Sequence, residues 1–169
     1  MFNTETTFRE VETQYPIDES LDIVVGYPQK NFIYDYLYEY DNDFYEPLST
    51  RVDFGAYSQK LTDLSTTFVI FKNEVVAGLI CSYFYQPESG TGFITLVHTK
   101  REYRGQHLSV HLLTSVQNYA SKHGFRNLEL YVSKQQKSAY NLYIRHGFNV
   151  ISEEANGRCR MKCVLSISK

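Results

Sequence analysis

Between residues 104 and 109 the sequence reads RGQHLS, a basic, glycine-bearing turn that separates a β-like run from an amphipathic helix. The first N–H groups of a helix have no partners within it, and with the positive end of the helix dipole they suit a phosphate or pyrophosphate. Gly105 lets the backbone approach such a group, and Arg104 adds a charged fork of donors. The stretch has neither the Gly-Lys-Ser/Thr ending of a Walker loop nor a G-x-G-x-x-G spacing. It predicts either an anion-binding loop or an ordinary turn before a helix.

The three cysteines of the chain do not suggest a disulfide framework. Cys159 and Cys163 lie in GRCRMKCVLS, where they alternate on one face of a predicted strand with Met161 and Leu165. A metal site would need two more ligands at a sensible spacing, and none stands nearby. We therefore expect buried thiols and no metal.

The bulk properties exclude several classes of protein. A chain of 169 residues is long enough for one domain with its own core, and we expect residues 1–169 to form that domain. The net charge of −2, without a lysine- or arginine-rich block, disfavours a nucleic-acid partner. The N-terminus lacks the features of a signal peptide, and no run approaches the roughly 18 apolar residues of a membrane span. The sequence predicts a cytoplasmic protein with no membrane partner.

The elements that must position the loop follow the order β, α, α, β, β, β, α, β, α, β, β from about Leu21, and the first twenty residues stay unassigned. Helices are predicted from roughly Asp53, as a cap, to Leu64 and from about Gln106 to His123. Asn-Glu and Asn-Gly pairs predict two hairpins. Residues 93–133 read strand–helix–strand, which implies one parallel pair with a right-handed crossover. The sequence therefore predicts a mixed α/β domain whose other strands are antiparallel.

At two places the sequence resembles the GNAT superfamily of N-acetyltransferases. The family's loop reads roughly Arg/Gln-x-x-Gly-x-Gly/Ala, and the run from Thr99 to Ser109 is similar to it at Tyr103, Arg104 and Gly105. The run departs from the pattern where the family commonly has a proline and two small residues, namely at Arg101, His107 and Ser109.

The second similarity is AYNLYIRHGF, from Ala139 to Phe148, which matches the family's A-x-x-L-Y-x-x-x-G-F in full. Together the two motifs span about residues 90–150. The resemblance implies a single GNAT-like α/β domain, with a central mixed, mostly antiparallel sheet, one splayed parallel strand pair and about four flanking helices. It also implies an acetyl-CoA-dependent N-acetyltransferase that acts by direct attack of an amine in a ternary complex.

The resemblance further implies the residues that bind acetyl-CoA. Pantetheine would pair with the main chain of Val97 and Thr99, and the Val97 N–H would polarise the thioester carbonyl. Asn141 would face the coenzyme, and Gln136 stands where the family often has a coenzyme-binding asparagine. The pyrophosphate would lie on the loop, at Arg104, Gly105, Gln106, His107, Leu108 and Ser109.

Tyr143 matches the family's frequent general acid, which contacts the coenzyme sulfur and protonates the departing thiolate; without the motif it would read as a core aromatic. No carboxylate stands near Val97 to act as the base that an amine nucleophile needs. His98 titrates in the right range, but strand alternation puts it on the opposite face, where packing beneath a helix is expected. Tyr83 or Tyr85 could relay a proton through water. The base stays unassigned.

Only the main-chain N–H of His107 is needed at the phosphate, so two hypotheses are open for its side chain. The imidazole turns outward and adds a contact to phosphate, or it narrows the site and weakens coenzyme binding.

The acceptor is expected to be a small-molecule or peptide amine. In the family, the first helices and the last hairpin build the acceptor site; here these read YDYLYEYDNDFYEP and SEEANGR. Carboxylates and phenols there would suit a cationic or polyhydroxylated amine, or else they form a solvated acidic surface. A homodimer is expected by analogy with the family. The alternatives to an enzyme are a non-catalytic acyl-CoA-binding or sensing domain and an unrelated phosphate-binding domain.

Overall fold

The computed structural model describes residues 4–166, which form one eight-stranded sheet with helices on both faces. The strand order is β1-β2-β3-β4-β5-β6-β8-β7. The strands are β1 (Phe8–Pro16), β2 (Leu21–Pro28), β3 (Ser65–Lys72), β4 (Val75–Tyr83), β5 (Thr91–Thr99), β6 (Asn127–Ser133), β7 (Phe148–Glu153) and β8 (Arg158–Val164). The helices are α1 (Thr4–Thr7), α2 (Lys30–Glu39), α3 (Phe54–Leu64), α4 (Leu108–Lys122) and α5 (Lys137–Arg145). The predicted order is confirmed from Leu21 onward, and the predicted mixed sheet with one parallel pair is confirmed as well.

The sequence did not predict β1. This edge strand buries Phe8 and leaves most of its other residues exposed, so it shows no alternation of apolar and polar residues. Two register shifts in its pairing with β2 interrupt the ladder further. A strand of this kind is held by its neighbour's backbone rather than by its own apolar residues, and its sequence carries little signal.

Two hydrophobic cores lie on opposite faces of the sheet. On one face, α4 and α5 pack Leu112, Val116 and Tyr143 against the strands. On the other face, α2 and α3 pack Leu37 and Leu61 against them. Because β3 and β4 are covered on both sides, they read as continuous apolar runs. The three cysteines are buried, and burial raises the pKa of the Cys81 thiol to about 12, so it is inert as a nucleophile.

The parallel pair of strands separates soon after it begins. β5 and β6 pair only through Thr91–Asn127, Gly92–Leu128 and Phe93–Glu129, whereas β5 stays paired with β4 as far as Thr99. Gly92 permits this start because a Cβ there would lie 2.3 Å from the ring of Phe84. From Ile94 onward one edge of β5 therefore has no neighbouring strand, and the expected splay is present.

Residues 4–166 contain neither a membrane-spanning helix nor a cluster of metal ligands. No helix in this range has the length and apolarity needed to cross a membrane. The same residues contain no group of three or more histidine, cysteine or carboxylate side chains placed to hold a metal ion.

Candidate active site

A cleft opens where β5 and β6 stop pairing. It holds a cavity of about 450 Å³, lined by both strands, by α5 and by the segment between α2 and α3. Three residues predicted from the sequence, Val97, Gln136 and Tyr143, line this cavity together with Thr95 and Ala139. Residues that are far apart in the sequence therefore meet at one cleft.

The main chain of β5 offers donors to this cleft. The N–H of Lys100 bonds the carbonyl of Ala77 on β4 at 2.9 Å. Successive N–H groups of a strand point in opposite directions, so those of Thr99 and Val97 point away from β4 and into the cleft. An irregularity in the β4–β5 pairing leaves Thr95 as an extra residue in β5. Such a bulge redirects the strand beside the splay.

The loop before α4 presents a row of main-chain donors. After a 3₁₀ turn at Arg101–Tyr103, Gly105 adopts a φ of 79° and the helix begins at Leu108, two residues later than predicted. Within residues 4–166, the backbone N–H groups from Gly105 to Val110 have no hydrogen-bond acceptor in the protein. An anion at this helix start would satisfy donors that otherwise bond water.

His107 adopts the left-handed conformation, with a φ of 62° and a ψ of 21°, at the position directly before α4. This conformation favours glycine and costs other residues on the order of 1 kcal/mol or more, although histidine is among those that adopt it most readily. A glycine would take this conformation without strain, whereas His107 adopts it with some strain. Its imidazole is exposed. The backbone can consequently present its N–H here despite the side chain.

The other side chains of the loop are engaged in different ways. The Arg104 Nε donates to the carbonyl of Thr99 at 3.1 Å, and its guanidinium lies 4.0 Å from Asp43. Gln106 accepts a hydrogen bond from Lys72. Leu108 is buried in the core, and Ser109 is half-buried in the first turn of α4. Leu108 and Ser109 therefore offer their main-chain N–H groups to a ligand at the loop.

Helix α5 brings Tyr143 to the cleft. The residue is 6% exposed, and burial raises the pKa of its phenol well above the ordinary value. Its ring packs on Phe148 with 5.8 Å between the ring centroids, which fixes its orientation. Gln136 precedes the helix and accepts a 3.4 Å bond from the N–H of Ser133. Asn141 is exposed on α5 and does not line the cavity, so the structure does not bring it to Tyr143 and Gln136.

His98 lies on the opposite face of β5 from Val97, beneath α2. Its Nδ1 is 2.7 Å from the hydroxyl of Tyr36, and its Nε2 is 3.4 Å from Asp43, near but not aligned as a hydrogen bond. Burial lowers the pKa of the imidazole to about 4, and the carboxylate of Asp43 offsets only part of this shift. His98 is neutral at physiological pH and does not line the cleft. It is a packing residue, as the alternation of β5 indicated.

A second cavity, of about 640 Å³, adjoins the first over α3 and β4. Tyr57 lies in its wall and bonds the hydroxyl of Thr95 at 2.8 Å. Tyr83 faces the same threonine, but within the described residues its buried hydroxyl has no aligned partner, and burial raises its pKa to about 12. Asp53 lines the cavity while capping α3 through the N–H of Ala56 at 2.8 Å, as predicted.

Residues 34–47 and 152–158 are the two acidic segments expected at the acceptor site. Most of their carboxylates do not line either cavity. Asp41 accepts bonds from both the N–H and the hydroxyl of Ser49. Asp43 pairs with Arg101 at 3.1 Å. In the last hairpin, Glu153 pairs with Lys134 at 2.8 Å. Residues of both segments line the first cavity, and their role at an acceptor site stays a prediction; the sequence did not reveal which way their charges face.

The segment between α2 and α3 also closes over the cleft. Phe44, Tyr45 and Glu46 line the first cavity, and the Tyr45 hydroxyl donates to the side chain of Gln135 beyond β6. The sequence did not single out these three residues as part of the site. The one signal was the tyrosine-rich composition of their segment.

Comparisons with known proteins agree with this fold. A family model for the acetyltransferase (GNAT) family matches residues 31–148. The ribosomal-protein-S18-alanine N-acetyltransferase of Escherichia coli superposes with a TM-score of 0.70 at 15% identity, over 87% of this chain and 96% of that chain. A ribosomal L7/L12 α-N-protein acetyltransferase in complex with coenzyme A gives 0.71 at 10% identity, over 92% and 100%.

A third solved structure contains a bisubstrate analogue. Naa50 of Arabidopsis thaliana, in complex with CoA-Ac-MVNAL, superposes with a TM-score of 0.64 at 18% identity, over 83% of this chain and 97% of that chain. At such identities the likeness establishes the fold. No curated protein sequence matched this chain.

Proposed function

Because the chain belongs to the GNAT family of acetyltransferases, we propose that it transfers the acetyl group of acetyl-CoA to an amine by direct attack in a ternary complex. One observation carries the proposal: a strand edge with inward N–H groups and a buried tyrosine meet at one cleft, and the same strand leads from that cleft to a loop of free N–H groups. Each feature alone has other uses, whereas their convergence fits a long thioester with a pyrophosphate at one end. We further propose that the protein works in the cytoplasm.

The loop and β5 would hold the two ends of the coenzyme. The N–H groups from Gly105 to Val110, with the positive end of α4, suit the pyrophosphate, and Arg104 lies within reach to add a charge. The free edge of β5 would pair with the pantetheine amides, as a further strand would. The Val97 N–H then points at the place where the thioester oxygen gains charge.

When bound, acetyl-CoA supplies the thioester carbon to which the amine nitrogen bonds as the carbon–sulfur bond breaks. Tyr143 would donate its phenolic proton to the departing sulfur. Its raised pKa keeps the phenol protonated at neutral pH, which is the state an acid needs. The hydroxyl regains a proton from solvent after the coenzyme leaves.

The amine must lose a proton, and the cleft suggests where that proton goes. With a pKa of about 12, Tyr83 can pass on a proton through water but cannot accept one as a base at neutral pH. Glu46 lines the same cavity as Tyr143 and is a carboxylate that can accept the proton through water. We propose Glu46 as the base. Replacing Glu46 by Gln should lower kcat by about 10²-fold or more and leave acetyl-CoA affinity in place, whereas an unchanged kcat would reject this role.

The alternative function is a domain that binds acyl-CoA without turnover, which the departures at His107 and Ser109 favour. Calorimetric titration with acetyl-CoA and free coenzyme A, followed by a thiol-release assay across an amine panel, separates the two functions. We expect micromolar binding, about −8 kcal/mol, and amine-dependent release of thiol. Binding without release from any amine would support the alternative, and no binding up to millimolar concentration would reject both.

A further inference from the structure

The two cavities form one groove on the acceptor side of the cleft. Val52, Tyr57, Phe93 and Thr95 line both of them, and we call the two cavities together the acceptor groove. Their volumes, about 450 and 640 Å³, lie in the range of small-molecule sites. Phe93 and Tyr131 continue the aromatic wall, with ring centroids 5.9 Å apart. The groove therefore has aromatic rings along its walls and is sized for a small acceptor.

Two cations at this groove are held by aromatic rings. The Lys60 ammonium lies 5.0 Å from the ring centroid of Tyr83, and the Arg158 guanidinium lies 4.4 Å from that of Tyr131. Among residues 4–166, neither side chain has a carboxylate within 4.0 Å. Stacking on a ring orients a cation and leaves its N–H donors free for an anion.

The carboxylates of the groove do not balance these cations. Asp53 is committed to the first turn of α3, where it accepts the N–H of Ala56. Glu46 lies 4.0 Å from a third cation, Arg51. The described lining of the groove thus carries three cations, Arg51, Lys60 and Arg158, against those two carboxylates. A polycationic acceptor would meet this excess of positive charge, whereas an anionic group would meet an oriented donor at Lys60 or at Arg158.

We infer that the acceptor is a small amine that also carries a carboxylate and an apolar body. Lys60 or Arg158 would bind the carboxylate, the aromatic walls would contact the apolar body, and the amine would approach Val97. This inference deepens the proposed function and rests on it.

Matched pairs of acceptors test the inference. The thiol-release assay compares each free amino acid with its carboxamide, with spermidine as a polycation and phosphoethanolamine as an amine with a different anion. We expect the best free amino acid to exceed its carboxamide by on the order of tenfold in kcat/KM. Equal or better turnover of the carboxamide, spermidine or phosphoethanolamine would overturn the inference.

Variants identify the groups that bind the carboxylate. Of Lys60→Gln and Arg158→Gln, the variant that removes the cation bound to the carboxylate should raise the KM of the amino acid severalfold, leave kcat and acetyl-CoA affinity in place, and leave the KM of the carboxamide unchanged. Lys122→Gln and Arg145→Gln, which replace exposed cations outside the groove, are the matched controls and should change nothing. A preference for the amino acid that persists in the double variant Lys60→Gln/Arg158→Gln would overturn the inference.

A binding measurement separates this inference from the proposed catalysis. Amino acids and their carboxamides, phenylalanine and phenylalaninamide among them, are titrated calorimetrically into the protein saturated with coenzyme A. Binding of a free amino acid that is weakened by Arg158→Gln supports the inference even if thiol release is absent, in which case the catalytic proposal alone fails. Equal binding of acid and amide, or no binding of any pair, rejects the inference.

Discussion

The coenzyme side of the cleft meets its proposed ligand with main-chain N–H groups, whereas the acceptor side presents side chains. On the coenzyme side, we propose that main-chain N–H groups of residues 105–110 hold the pyrophosphate, a role that depends on backbone conformation and that His107 and Ser109 can fill in place of small residues. On the acceptor side, Lys60 and Arg158 are set by aromatic rings that come from different elements. A binding site formed by main-chain groups tolerates substitution of its residues. A binding site formed by side chains changes its ligand when those side chains are substituted.

The largest expected effect concerns Tyr143, which lies between the coenzyme side and the acceptor side of the cleft. Replacing Tyr143 by Phe should lower kcat by roughly 10²- to 10⁴-fold, because the departing sulfur loses its proton donor. Acetyl-CoA affinity, measured by calorimetry, should stay within about threefold, since the ring and its packing remain. Ile144→Val, at an exposed neighbour on α5, is the control. An unchanged kcat would refute the assignment of Tyr143 as the acid.

The next prediction concerns His98, which is packed beneath α2. The unfolded chain protonates His98 near its ordinary pKa of 6.5, whereas the folded protein keeps it neutral down to about 4. Stability from this group is therefore fully present above pH 6.5 and is lost as the pH falls toward 4, by on the order of 2–3 kcal/mol. Urea unfolding at pH 7 and pH 4.5 measures the loss, and His98→Gln should flatten it. An equal loss in the variant would assign the pH dependence to other groups.

A smaller effect tests the charge on the coenzyme side. Arg104→Gln should weaken acetyl-CoA binding by about tenfold, because an exposed guanidinium contributes one charge-assisted contact to phosphate. Arg101→Gln removes a neighbouring arginine that also pairs with Asp43 and should have a smaller effect. Equal losses in the two variants would mean that the contact is only a general attraction between charges.

The smallest expected effect isolates backbone conformation. His107→Gly should raise the free energy of unfolding by up to about 1 kcal/mol, because glycine adopts a φ of 62° without strain. His107→Ala keeps the strain and should not stabilise the protein. Acetyl-CoA affinity should change less than about threefold in both. A tenfold loss in both would show that the imidazole contacts phosphate, and a tenfold gain in both would show that it obstructs the site.

The sequence predicted the residues of the coenzyme side better than those of the acceptor side. The loop and the A-x-x-L-Y motif indicated Gly105 and Tyr143, because a tight turn and a helix face impose local patterns that survive in one sequence. The direction of Asp43 could not be read, since it depends on Arg101, which lies far along the chain. The same holds for Lys60 and Arg158, whose partners lie on other strands. Tertiary packing decides such orientations, and no periodicity records it.

The brief pairing of β5 with β6 bears on how the protein unfolds. Only three residue pairs carry the ladder that joins the β1–β5 sheet to the unit of β6, β7, β8 and α5, so the core beneath α4 is the main contact that holds this unit to the rest. A ligand that pairs with β5 while contacting α5 would fasten this unit to the rest. At a hundredfold excess over its dissociation constant it would add about 2.7 kcal/mol against opening. Amide hydrogen exchange in β6 and β8 would slow accordingly.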